Sequence, residues 1–258
     1  MADQFVGGGQ QNALGDHFLP RHKGQGIMQE SETQKASMGA KLELTDGRVF
    51  RYAKASAQIA TGIVASTDDV YKVDADINDT FVAAAAGSSQ FKLSARASDS
   101  ENEYAGAYFG NITNGEQYRI KSNTASATVG GTANTVIFNL YDPIKTAIAT
   151  GDDYLITPNP YASVITATIS GGTTAYDRAV GITPIGITSG YYFWLQTKGV
   201  AFVIADAGAA ITKGTPVTLS DSTAGAVQDQ DVIAENVIGY CVTAAAAGKH
   251  GGVMLNLE

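Results

Sequence analysis

The sequence predicts an all-β protein: an extended N-terminal arm followed by two small domains of β-sandwich or β-barrel type. Three observations carry this. Short runs of alternating apolar and polar residues recur roughly every ten positions, with Gly, Asn, Asp and Ser between them, as in sandwiches and barrels. Asp46-Gly47 sits between two such runs, which is the strongest short-range hairpin signal. The chain is also short of charge, 16% of its 258 residues, where about 25% is usual, and it is rich in Gly, Ala and Thr, as expected of a chain that buries much of itself.

The arm is assigned to residues 1–40. Its Gly7-Gly8-Gly9-Gln10-Gln11 run and its isolated apolar residues Phe5, Val6, Leu14, Phe18, Leu19, Ile27 and Met28 lack any period. These seven side chains read as anchors for a partner surface. Glu30–Ala40 is rich in helix formers and reads as a short, weakly amphipathic helix. Residues 1–54 hold seven Lys/Arg and six Asp/Glu, net +1, so the rest of the chain carries -9 and the whole -8.

The first β domain is assigned to 41–157. Lys41–Thr45 and Arg48–Tyr52 form the hairpin around Asp46-Gly47. Further strands are expected at Thr61–Ala65, Val70–Val73, Thr80–Ala84, Phe91–Ala95, Tyr104–Phe109, Gln117–Lys121 and Thr135–Tyr141. Ile144–Ala149 reads either as a short helix or as a crossing strand. Pro158-Asn159-Pro160 stiffens a connector. The second β domain, 158–258, has strands at Ser163–Ile169, Ala179–Ile182, Tyr191–Thr197, Val200–Ala205, Pro216–Leu219, Ala226–Gln228, Asn236–Ala244 and Val253–Leu257.

Several function classes fall away. Cys241 is the single cysteine, so neither a disulfide framework nor a multi-cysteine metal site can form within the chain. No apolar run reaches the roughly 18 residues of a membrane span, so no membrane partner is expected. The first residues lack a basic stretch followed by an apolar one, from which a cytoplasm-like compartment is expected. An acidic, charge-poor chain does not suit a nucleic-acid surface.

The acid pairs Asp68-Asp69, Asp74-x-Asp76, Asp152-Asp153 and Asp229-x-Asp231 do not complete a calcium loop and read as turns. His17, His22 and His250 lack metal-pair spacing. Cys241, between Tyr240 and Val242, reads as a small buried hydrophobe. Ala244–His250 and Gly208–Gly214 imitate phosphate loops but miss the required residues, and the serine-hydrolase elbow is missing. No general acid and base can be paired, so no enzyme, catalytic residue, metal site or cofactor is expected.

Tyr191–Thr197 is the one cluster that stands out. On a strand, Tyr191, Phe193 and Leu195 share one face, and Tyr192, Trp194 and Gln196 the other. Both faces are bulky. This fits a central strand covered on both sides, a face of Tyr192 and Trp194 meeting a partner subunit, or a sugar platform built on the same two rings.

The residues resemble structural proteins of tailed bacteriophages, in particular capsid decoration or cement proteins. The resemblance lies in Asp46-Gly-Arg-Val-Phe-Arg-Tyr-Ala-Lys54, Leu140-Tyr-Asp-Pro143, Asn159-Pro-Tyr161, Ile187–Thr197, Val237-Ile-Gly-Tyr-Cys241 and Gly251–Leu257. It implies β-rich domains on the outer capsid surface, assembled in the host cytoplasm, with an arm crossing capsomer boundaries to stabilise the head. It implies two partners: the major capsid protein and other copies of the chain, a trimer being that family's usual arrangement. The alternative is a head-fibre, tail or receptor-binding protein whose aromatic strand contacts a host glycan. A major capsid protein ranks below both, because the long spine helix expected of one is missing.

Overall fold

The computed structural model describes residues 24–67, 74–75, 80–94, 99–129, 132–168, 179–231 and 236–258. The described residues form strands and turns with no helix, in two sheets, one of them a curled half-barrel. The chain divides into two compact units: Met1–Asp69 with Pro160–Glu258, and Val70–Asn159.

The first unit begins with β1 (Lys41–Glu43), β2 (Val49–Lys54) and β3 (Val64–Thr67). The second holds β4 (Asp74–Ala75), β5 (Thr80–Val82), β6 (Gln90–Ser94), β7 (Tyr108–Asn111), β8 (Glu116–Asn123), β9 (Ala127–Val129), β10 (Thr132–Leu140) and β11 (Tyr154–Thr157). The chain then returns to the first unit with β12 (Val164–Thr166), β13 (Ala179–Ile182), β14 (Tyr192–Ile204), β15 (Pro216–Leu219), β16 (Val227–Asp229), β17 (Gly239–Thr243) and β18 (His250–Asn256).

This organisation departs from consecutive domains over 41–157 and 158–258. The predicted hairpin forms, with Leu42 opposite Phe50 and Gly47 at φ +83°, which a residue with a side chain rarely adopts. Yet β2 pairs with β14, Phe193 opposite Ala53 and Leu195 opposite Arg51. β3 pairs with β12 and β13. Residues 41–67 therefore belong with 160–258, and the second unit is an insertion. Of the two boundaries, only the one at Asn159/Pro160 carried a proline signal.

The inserted unit orders its sheet β4-β11-β7-β8-β10-β6-β5, with β9 on β10. Its core is aromatic: Phe91 stacks on Phe109 and Phe138 at 4.2 and 4.7 Å between ring centroids. Phe81 meets Phe91, Phe109 and Tyr154 edge-on. Offset and edge contacts of this kind add about 0.5–1.5 kcal/mol per pair beyond burial. Ile144–Ala149 is neither a helix nor a regular strand; it is irregular backbone and bends with one bridge, Ala84 to Ile148. The expected strand Val70–Val73 lies outside the described residues.

The first unit orders its sheet β12-β3-β13-β14-β18-β17-β15-β16, with β2 on β14 and β1 on β2. The two runs expected at Tyr191–Thr197 and Val200–Ala205 are one strand, β14, which continues through a bulge between Gln196 and Lys198 and through Gly199 at φ +86°. The expected helix at Glu30–Ala40 does not form. That stretch is bends and turns bonded to the sheet: Gly39 N–H donates to Tyr52 O, Tyr52 N–H to Ala40 O, and Lys35 N–H to the Tyr52 hydroxyl. Helix-forming composition is overridden by these tertiary bonds. The arm assignment over 1–40 is corrected accordingly: residues 24–40 are packed on the first unit, and only 1–23 lie outside the described residues.

Candidate functional site: an apolar sheet face

The N-terminal half of β14 is covered on both faces. Phe193 and Leu195 pack with Ala53, Ile59, Val180 and Ile187. Trp194 packs with Leu42, Phe50 and Tyr52, closed over by Ile27, Ala36, Met38 and Ala40. Trp194 is 1% exposed, its ring edge-on to Tyr52 at 4.9 Å and its Nε1–H donating to Gln25 O at 3.0 Å. Gln25 also accepts from the Tyr52 hydroxyl at 2.7 Å and donates to Tyr192 O. Burial is the leading cause that raises the Tyr52 hydroxyl above its ordinary value. Tyr192 stacks on Tyr52 and lies under Lys54 Nζ at 5.4 Å.

Trp194 is therefore part of the core, and a sugar platform of Trp194 and Tyr192 is not available. Of the arm anchors, Ile27 is half-buried in this cluster and Met28 is exposed. Phe5, Val6, Leu14, Phe18 and Leu19 lie outside the described residues.

The C-terminal half of β14 is different. Ala201 and Val203 face the core with Val253, Leu255 and Cys241. The alternate residues face outward, and cross-strand register makes them a row: Val200 opposite Met254, and Met254 opposite Tyr240. Phe202 follows Val200 on the same face of the strand. All four are exposed, Phe202 at 65%. Exposed apolar side chains scattered singly are ordinary, whereas a contiguous row marks an interaction surface. The sequence reading missed this row, because it depends on pairing β14 with β18 and β17.

The candidate chemical groups are taken up by structural hydrogen bonds, Asp229 at the end of β16 rather than in a turn. Asp152 accepts from Asn111 Nδ2 and Ala149 N–H. Asp229 accepts from Thr212 N–H and the Thr215 hydroxyl. Asp206, nearly buried, accepts from Ser220, from Ser222 at 2.6 Å and from Gly208 N–H. The Ser220 and Ser222 hydroxyls hold its carboxyl well below the ordinary carboxylate range. Burial pushes the Cys241 thiol up, away from nucleophilic thiolate character. Asp68, Asp69, Asp76, His17 and His22 lie outside the described residues. Among the described residues no group of three or more His, Cys, Asp or Glu could hold a metal ion. No helix there is long and apolar enough to cross a membrane.

Residues 147–256 match the family model described as phage cement protein. The matched stretch contains β12 to β18 and the whole apolar row. No curated protein and no solved structure matches the chain.

Proposed function

We propose that this phage capsid structural protein, which carries the cement-protein match over residues 147–256, binds the outer capsid lattice across capsomer boundaries and stabilises the head. Cement proteins are a structural kind of protein, and the exposed row Val200, Phe202, Met254 and Tyr240 within the matched stretch is the observation that carries the reading. Its partners are the major capsid protein and further copies of the chain, and its place is the outer surface of the virion after assembly in the host cytoplasm. An acidic body suits that side of the shell, since on the inner side it would repel DNA phosphate. A set of modest contacts repeated over a lattice gains strength by avidity, without any deep pocket.

The tail or receptor-binding alternative needed an exposed stacking platform, and the burial of Trp194 removes it. Cryo-electron microscopy of particles tests the proposal. Density for this chain repeated over the head, with the β14–β18–β17 face against the shell, is expected; density confined to the tail refutes it.

A further inference from the structure

The inserted unit carries a glycine that its own packing does not require. A glycine inside a strand costs chain entropy and packs nothing, so it marks a left-handed turn, a bulge, or a place where backbone or ligand comes close. The other described strand glycines have such reasons. A Cβ on Gly181 would lie 2.5 Å from Leu195 Cγ, one on Gly239 2.2 Å from Met254 O, and one on Gly251 2.6 Å from Ile211 Cδ1. Gly252 is crowded by the Thr243 side chain at 3.2 Å, and Gly199 has φ +86°. Gly110, inside β7, has none of these. Its φ is not positive, and a Cβ there would meet nothing nearer than Leu155 O at 3.8 Å. Its ladders with β8 and β11 run in unbroken register.

The missing side chain opens a cleft of 310 Å³ on the outer face of the sheet. Strand alternation turns Phe109 into the core and leaves Tyr108, Gly110 and, just past the strand, Ile112 facing outward. Register sets Leu155 on one side of Gly110 and Gln117 on the other, with Thr157 beside Tyr108. The Gly110 backbone is thus a floor, and Tyr108, Ile112 and Leu155 are its apolar walls. The Tyr108 hydroxyl, the Gln117 amide and the Thr157 hydroxyl make no hydrogen bond among the described residues.

Each of these three groups can both donate and accept, and a purely apolar ligand would leave all three unpaired. The lining holds no Lys, Arg or His, so an anion finds no counter-charge there. Its carboxylate, Glu116, already accepts from the Tyr118 and Thr146 hydroxyls. We propose that the cleft binds a neutral saccharide. The C–H face of the sugar ring rests on Gly110 and against the Tyr108 ring, and the sugar hydroxyls exchange hydrogen bonds with Gln117 and Thr157. A side chain at position 110 would fill the floor and lift the ring off the backbone. Clefts near 300 Å³ are about the smallest that ordinarily enclose a ligand, which limits the site to a short saccharide. Tyr108, Gly110 and Gln117 lie outside the matched stretch 147–256, so capsid attachment does not account for them. Sugar binding is a separate function and leaves the chain on the head.

The isolated full chain is tested by NMR, so the outcome is independent of capsid binding. Amide spectra are recorded in titrations, to millimolar levels, with glucose, galactose, mannose and N-acetylglucosamine, and with N-acetylneuraminic acid as the charged comparator. At least one neutral sugar should give saturable shifts at the amides of Gly110, Gln117 and Leu155, while Val253 in the first unit stays unmoved. Gly110→Val introduces a side chain that suits a strand and meets open space. It should bind the same sugar at least about tenfold more weakly, with a urea midpoint no lower than that of the natural chain. No saturable shift with any of the neutral sugars, equal binding by Gly110→Val, or shifts with N-acetylneuraminic acid alone each overturn the proposal. A lowered midpoint for Gly110→Val overturns it as well, because the glycine then has a structural reason.

Discussion

Replacing Trp194 with alanine tests the packing of β14 directly. The indole is 1% exposed and fills the space between Leu42, Phe50 and Tyr52, and its Nε1–H satisfies Gln25 O. Truncating a buried Trp to Ala costs about 3–5 kcal/mol in lost transfer energy and residual cavity. A unit of this size loses about 2–4 °C of Tm per kcal/mol, so the expected fall is roughly 6–20 °C. Trp194→Phe keeps most of the volume and removes the N–H donor, for a smaller loss of about 1–3 kcal/mol from the unpaired carbonyl. Trp194 is the single tryptophan of the chain, so fluorescence is lost with it, and urea and thermal unfolding must be followed by circular dichroism. A Trp194→Ala protein within about 0.5 kcal/mol of the natural one, the range of an ordinary surface substitution, would refute the packing and restore the exposed-platform reading.

Two other perturbations have definite signs. Gly62 sits at φ +68°, and a Cβ there would lie 2.7 Å from the His250 ring and 3.1 Å from Phe202 O. Gly62→Ala should destabilise the first unit by at least about 1 kcal/mol in a urea titration, and an unchanged midpoint would contradict the close approach. The folded-state Asp206 carboxyl is depressed, chiefly by Ser220 and Ser222, so its contribution is present above the unfolded value near pH 4 and is lost as pH falls toward the folded one. Asp206→Asn should lower stability at neutral pH and flatten the acid limb of a pH–stability curve; parallel curves for the two proteins would count against the hydroxyl cage.

Local pattern in the sequence located most strands, because alternation and turn chemistry are local. The β1–β2 hairpin, β13 and β15 fall where alternation puts them. What pairs with what is not local. β2 finds β14 some 140 positions later, and nothing in the period of Arg48–Tyr52 specifies that partner. The strand pattern of Val200–Ala205 was legible, but the exposed face is itself apolar, so alternation could not separate the outward Val200 and Phe202 from the inward Ala201 and Val203. Only the register with Met254 and Tyr240 shows a row. Trp194 posed the converse problem: period 2 gave it a face, while its cover comes from residues 25–40, whose composition suggested a helix and an arm.

The insertion of the aromatic unit has a consequence for how such a chain can diversify. Its host strands β3 and β12 are antiparallel neighbours, with Thr67 opposite Val164, so the guest leaves and re-enters the host at adjoining points of one ladder. Strands so placed are commonly closed by turns of about two to five residues. The guest is in effect a cassette on a host whose own ladder is complete without it. Replacing Val70–Asn159 by such a turn is therefore expected to leave the host's strand pairing in place, much as a bracket holds one lamp or another.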